Sequence, residues 1–311
     1  MATVYTDIPH NYDEISPYTI TDSETIAAKI FEKKKCYFYD TCSFRRHANL
    51  REEMVKYFLE YIKHQDGVVI ITRCILMELA SQSGILNQEY IDFIIKMKEF
   101  GIDVLIVYEE DLFDVMEGCF GTNAAINSYL VWAVRMLKGA VSTITEVLEN
   151  DDDLKKEVIN GRNIGDRDIF KRFFGAVRGN KEADDNLGEE LLAICLHILS
   201  HLPGEPDGKF CVVTDDKGAA GKIDVLFRKT KEQFAGKRII IFSTPKWVQI
   251  MYNEGILTDK EHINEILSSG SDGNIRVLGT KIYDLRSREI SISCAELTDL
   301  IVRVNRIHIT F

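Results

Sequence analysis

The chain has 311 residues, 45% apolar and 28% charged, with 49 Asp and Glu against 38 Lys and Arg for a formal net charge of −11. That apolar share supports one large core, or a core with an appended unit, and excludes a disordered chain. The acidic balance excludes a surface that coats nucleic acid through excess Lys and Arg, although a local basic strip beside a site is compatible with it. Residues 1–14 contain neither a basic nor an apolar signal region, and the longest apolar runs, at 67–71 and 239–242, are strand-sized. A cytoplasmic protein without a membrane segment is expected. Seven cysteines are scattered with no C-x-x-C pair, which argues against a disulfide framework and a zinc ribbon.

No repeat, Pro-rich linker or low-complexity tract divides the chain. Residues 1–35 read as an N-terminal extension. Residues 36–39 form a first strand, and Met54, Val55, Phe58, Leu59 and Ile62 then make a helical stripe. A second strand covers 68–71. Thr72 can cap the helix that follows, with Ile75, Leu76 and Leu79 inward, and a further helix carries Tyr90, Ile91, Ile94 and Met97. A third strand covers 104–107. About 109–183 reads as a helical insertion with an acidic break at Asp151, Asp152 and Asp153. The core resumes with a helix over 187–201, a fourth strand at 211–214, and a fifth at 239–242 followed by a helix containing Trp247, Ile250 and Met251. Strand-like alternation at Ile290, Ile292 and Cys294, a short helix near 297–304 and a last strand at 307–311 make residues 271–311 a small α+β appendage. The expected class is α/β, with a parallel-sheet core over 36–270.

In such a sheet, ligands bind beyond the carboxyl ends of the strands, where the strand order switches. Asp40 follows the first strand, the Asp215–Asp216 pair ends the fourth, Glu78 lies two turns into the helix after the second, and Glu189 opens the helix that enters the fourth. Carboxylates gathered from four segments would repel one another and take up protons unless a multivalent cation neutralised them. Mg²⁺ or Mn²⁺ suits oxygen ligands of this kind and can activate water against a phosphodiester.

Each acid has a plainer alternative. Asp40 could end a strand and begin a turn. Glu78 could be an exposed helix residue, Glu189 could close a capping box with Asn186, and Asp215–Asp216 before Lys217–Gly218 could be an ordinary turn. Arg162, Arg167, Lys171, Arg172, Arg178 and Lys181 form a candidate phosphate-contacting strip, while Phe170, Phe173, Phe174 and Val177 between them fall at core-facing helical spacing. Arg45, Arg46 and His47 are a second basic candidate, beside Asp40. His197 and His201 lack the Glu of a zinc-protease helix, and no phosphate loop of nucleotide enzymes is present.

Four segments resemble the motifs of PIN-domain nucleases, in that family's order: YFYDTCSF, VVIITRCILMELA, NLGEELLAICLH and CVVTDDKGA. The resemblance covers roughly 36–110 and 184–265. It implies a PIN-like, three-layer parallel-sheet core, with Asp40, Glu78, Glu189 and Asp216 as the four catalytic, metal-binding acids and Asp215 as an extra ligand. Thr41, Thr214, Arg45, Arg46, Lys171 and Arg172 are the candidate substrate contacts. The implied activity is Mg²⁺- or Mn²⁺-dependent cleavage of RNA, in an RNA-processing or toxin-like role, with a protein inhibitor or antitoxin and self-association left open as partners. The chain is far longer than the compact toxins of that family. Two other readings stand beside this one: a PIN-like module that binds without catalysis, and a phosphatase of the haloacid-dehalogenase type, whose second Asp is replaced here by Cys42.

Overall fold

The structure, a computed structural model, describes residues 5–139, 142–230, 236–303 and 306–311. Five short runs of β-branched, aromatic and other apolar residues make the central sheet: β1 Lys35–Tyr39, β2 Gly67–Thr72, β3 Val104–Val107, β4 Phe210–Val213 and β5 Ile240–Phe242. Every pairing in it is parallel, and the order is β3-β2-β1-β4-β5. Both faces are covered, so the strands read as continuous apolar runs rather than as alternating ones.

Successive strand residues point to opposite faces and so feed two separate cores. Tyr37, Tyr39, Val69, Ile71, Cys211 and Val213 belong to one; Cys36, Phe38, Val68, Ile70, Phe210 and Val212 belong to the other. On the first face, numbered in chain order, lie α2 Thr41–Ala48, α3 Glu52–His64, α4 Arg73–Ala80, α5 Gln88–Glu99, α13 Thr244–Asn253 and α14 Lys260–Ser268. The second face carries α1 Ser23–Glu32, α6 Leu112–Glu117, α7 Asn123–Leu137, α8 Thr143–Asn150, α9 Asp152–Val158, α10 Ile169–Gly179, α11 Leu187–Leu199 and α12 Lys217–Thr230. Helices on both sides of one parallel sheet make a three-layer α/β arrangement.

The five expected strands are all present, with ends displaced by a residue at most positions. The insertion supplies α6 to α10, and Phe170, Phe173, Phe174 and Val177 are fully buried, as their spacing predicts. After α14 the chain forms β6 Asn274–Lys281, β7 Arg288–Ser293, α15 Cys294–Val302 and β8 Ile307–Ile309, with an antiparallel sheet ordered β7-β6-β8. Its Val277, Ile290, Leu297 and Ile309 join the first core instead of building their own. The N-terminal segment is likewise built in: Ile20 pairs in parallel with Leu105, and Ile26 and Ile30 of α1 enter the second core. All seven cysteines are free thiols. Among the described residues, no helix is long and apolar enough to cross a membrane.

Candidate active site

The chain winds from β1 outward through β2 and β3, then returns to the other side of β1 for β4 and β5, so the order reverses between β1 and β4. That crevice is where an open parallel sheet receives ligands. Tyr39 is in register with Val213, which sets Asp40 opposite Thr214 as the two strands end. The Thr214 hydroxyl donates to Asp40 Oδ2 at 2.8 Å and accepts from the Asp216 amide at 3.0 Å, joining the two strand ends. The Cys42 thiol donates to the same Oδ2 at 3.0 Å, and the Thr41 amide donates to Oδ1 at 2.8 Å. Asp40 is only 4% exposed. Burial pushes its carboxyl up to about 6, with Glu78 adding to the rise and the bonds from Cys42, Thr214 and Thr41 opposing it.

Glu78 approaches from α4, whose first turn is capped by the Thr72 hydroxyl accepting from Ile75 N at 3.5 Å. Its Oε2 accepts from the Thr41 hydroxyl, one residue from Asp40. Its Oε1 stands 3.1 Å from the Lys181 ammonium. The carboxyl also lies against Gly188 of α11, where an added Cβ would stand 2.8 Å from Glu78 Cδ, so the absence of a side chain at 188 admits it. The next residue, Glu189, reaches the Lys222 ammonium of α12 at 2.7 Å. Asp216 caps α12, its Oδ1 accepting from the amides of Gly218 and, at 3.1 Å, Ala219. Glu189, Glu190, Asp216, Gly218 and Lys222 line one cleft of about 520 Å³. The partial positive charge at the start of α12 faces this side, which favours anions.

The two adjacent aspartates separate. Asp215 Oδ1 accepts from Thr244 N at 2.7 Å, and its Oδ2 takes the Thr244 hydroxyl at 2.6 Å and Arg46 at 3.3 Å. Burial raises its carboxyl, but Arg46 and the Thr244 donors outweigh this and hold it below the ordinary range. The expected extra ligand is therefore engaged in anchoring α13. Arg46 is engaged as well, donating to the carbonyls of Ile266 and Leu267 at 3.2 and 3.0 Å. Arg45 is exposed and donates to the Glu78 carbonyl at 2.6 Å, so it stays beside the acids. His47 is buried between the Tyr39 hydroxyl at 3.1 Å and the Thr244 hydroxyl at 2.9 Å, and burial lowers it to about 3, a neutral packing residue.

Most of the basic strip turns to carboxylates of the same chain. Arg167 pairs with Asp114 and Glu117, Arg172 with Glu157 and Asp166, and Arg178 with Asp7, Glu109 and Glu110. Lys171 is exposed. Sequence reasoning missed the polar residues that hold the acids: Cys42 on Asp40, and the ammonium groups of Lys181 on Glu78 and Lys222 on Glu189. Lys181 was visible only as part of a basic run, and no spacing rule ties it to Glu78, 103 positions earlier by number.

Asp40, Glu78, Glu189 and Asp216 thus share the carboxyl edge of the sheet. Among the described residues, no three His, Cys, Asp or Glu side chains stand close enough together to hold a metal ion as they are. The chemistry of the donors nevertheless suits a hard cation: all four are carboxylates, burial disfavours the charge on Asp40 in a way that a cation would relieve, and two of the others already attract ammonium groups. No family model, curated protein or solved structure matches the chain.

Proposed function

We propose that the protein is a divalent-cation-dependent endoribonuclease of PIN-like type. The observation that supports this reading is that acids from four segments lie along the carboxyl edge of a parallel sheet beside its switch point, with Asp40 held by Thr214 and Glu78 by Thr41. Bound Mg²⁺ or Mn²⁺ would polarise a phosphodiester oxygen and lower the pKa of an attacking water. Asp40 and Asp216, on either side of the crevice, would be the inner ligands, with Glu78 and Glu189 closing the set. Thr214 keeps Asp40 aimed by donating to its Oδ2, and Thr41 does the same for Glu78. The cleft beside α12, lined by Glu189, Asp216 and Lys222, would receive the phosphate. Arg45 and Lys171 are exposed and would steer the backbone of the RNA. An RNA-processing or a toxin-like role would follow from this chemistry.

The test is incubation of end-labelled single-stranded RNA with Mn²⁺ or Mg²⁺. Internal cleavage that depends on the ion and disappears in Asp40→Asn supports the proposal. A second reading, a binding module without catalysis, is favoured by one observation: Glu78 and Glu189 each carry an ammonium partner, so half the set is neutralised from within. RNA retained but never cut, with equal affinity in wild type and Asp40→Asn, would select that reading.

A further inference from the structure

The buried ammonium of Lys181 is the most unusual group at the acid site. It follows α10, the last helix of the insertion, and its side chain is 3% exposed. Besides Glu78 it contacts the carboxylate of Asp185 and donates to the Glu182 carbonyl at 3.2 Å, with the Tyr5 ring centre 5.3 Å away. Burial works against the charge, but Glu78 and Asp185 outweigh it and hold the ammonium above its ordinary range. Asp185 is fixed independently, accepting from Glu182 N at 2.8 Å and from Leu187 N at 3.0 Å. Lys181 therefore holds one carboxylate that is anchored in its own turn and a second, Glu78, that belongs to the site.

This arrangement lets the Glu78 pair be exchanged. An ammonium that gave up Glu78 would keep Asp185, so it would not become an unpaired buried charge. A dication drawn to Asp40 and Glu78 would meet a like charge held nearby in a poorly screened setting. We propose that Lys181 is an internal competitor for the divalent cation: it neutralises Glu78 while the ion is absent, and it sets how tightly the ion is held. This rests on the cation-dependent reading above. It also gives the helical insertion a purpose, since the insertion delivers the ammonium to the sheet edge. Lys222 is a weaker counterpart at Glu189, because both partners of that pair are partly solvated and water screens them.

The experiment is a Mn²⁺ titration of the full chain, read from the spin-resonance signal of free Mn²⁺, on wild type, Lys181→Gln, Lys181→Arg, Lys222→Gln and Asp40→Asn. Lys181→Gln should bind Mn²⁺ about tenfold more tightly or better, Lys181→Arg should match wild type, and Lys222→Gln should change affinity by less than about threefold. A merely structural lysine would not give tighter binding that the arginine reverses. Should Lys181→Gln fail to fold, Asp185→Asn tests the same point: with its second anchor neutralised, the ammonium leans on Glu78 alone, and Mn²⁺ should bind several-fold more weakly. Wild-type binding that Asp40→Asn abolishes, but that neither Lys181→Gln nor Asp185→Asn moves in these directions, overturns the competitor role and leaves the cation reading standing. The absence of saturable Mn²⁺ binding in every variant removes both.

Discussion

Replacing Asp40 by Asn separates stability from function in a way that can be worked out in advance. Burial lifts the Asp40 carboxyl from 3.8 to about 6, so at pH 8 the folded protein holds an anion against a penalty of about 3 kcal/mol, taking 1.36 kcal/mol per unit. Asn removes the charge at nearly the same volume. It also turns an NH₂ group toward the donors Cys42 and Thr214, which costs about 1–2 kcal/mol of that gain. The net expectation at pH 8 is that Asp40→Asn is more stable than wild type by about 1–2 kcal/mol. The sign with pH follows from linkage: a carboxyl raised on folding binds its proton more tightly in the native state between 3.8 and about 6, so its contribution to stability falls as pH rises through that window. Urea unfolding with chelator present, at pH 4 and pH 8, measures it, and subtracting the two proteins cancels the other titrating groups. The advantage of the variant should be present at pH 8 and vanish or reverse at pH 4. A variant less stable than wild type at pH 8, or a difference that is flat with pH, refutes the claim that Asp40 is a buried charge kept for a purpose other than stability.

Three further outcomes follow from single contacts. Gly188→Ala, a change that ordinarily favours a helix, should instead destabilise by about 1–3 kcal/mol, because the new methyl meets the Glu78 carboxyl; a raised denaturation midpoint would contradict this packing. Arg178→Met leaves Glu109, fully buried, without its cation, and should cost about 3–5 kcal/mol in unfolding measurements; a loss below about 1 kcal/mol would mean that the Asp7, Glu109 and Glu110 contacts are dispensable. Glu190→Ala removes the acceptor of Ser142 Oγ and Ile144 N, both at 3.1 Å, and should loosen α8 from α11. Faster proteolysis confined to the start of α8 is the expected readout, and uniform protection would count against it.

The sheet was legible because fully buried parallel strands must be nearly continuous apolar runs, and those runs stand out at 36–39, 68–71, 104–107, 211–214 and 239–242. The addresses of Asp40 and Asp216 followed from the strand ends. What escaped was the direction of adjacent side chains and the partners contributed by distant segments. Neighbours at a strand end point to opposite sides, so Asp215 and Asp216 could not both enter one cleft: Asp215 turns to Thr244 and Arg46, and Asp216 turns to α12. No local rule could have revealed that Arg172 would be taken by Glu157 and Asp166, or that Lys181 would reach Glu78, since long-range ion pairs are chosen by packing. The residues from 271 onward looked like a separate unit because their alternation resembles a small sheet. The burial of Val277, Ile290 and Leu297 against the first core, and the bonds of the Gln249 side chain to Ile307 O and Ile309 N, tie them to the main body.

The most direct test of the central claim is anomalous diffraction at the manganese edge from crystals soaked in Mn²⁺. The account predicts a peak at the carboxyl edge of the sheet, within coordination distance of Asp40 and Asp216, with Glu78 drawn away from Lys181. Crystals saturated with Mn²⁺ that show no peak there, with the Glu78–Lys181 pair intact, would contradict it.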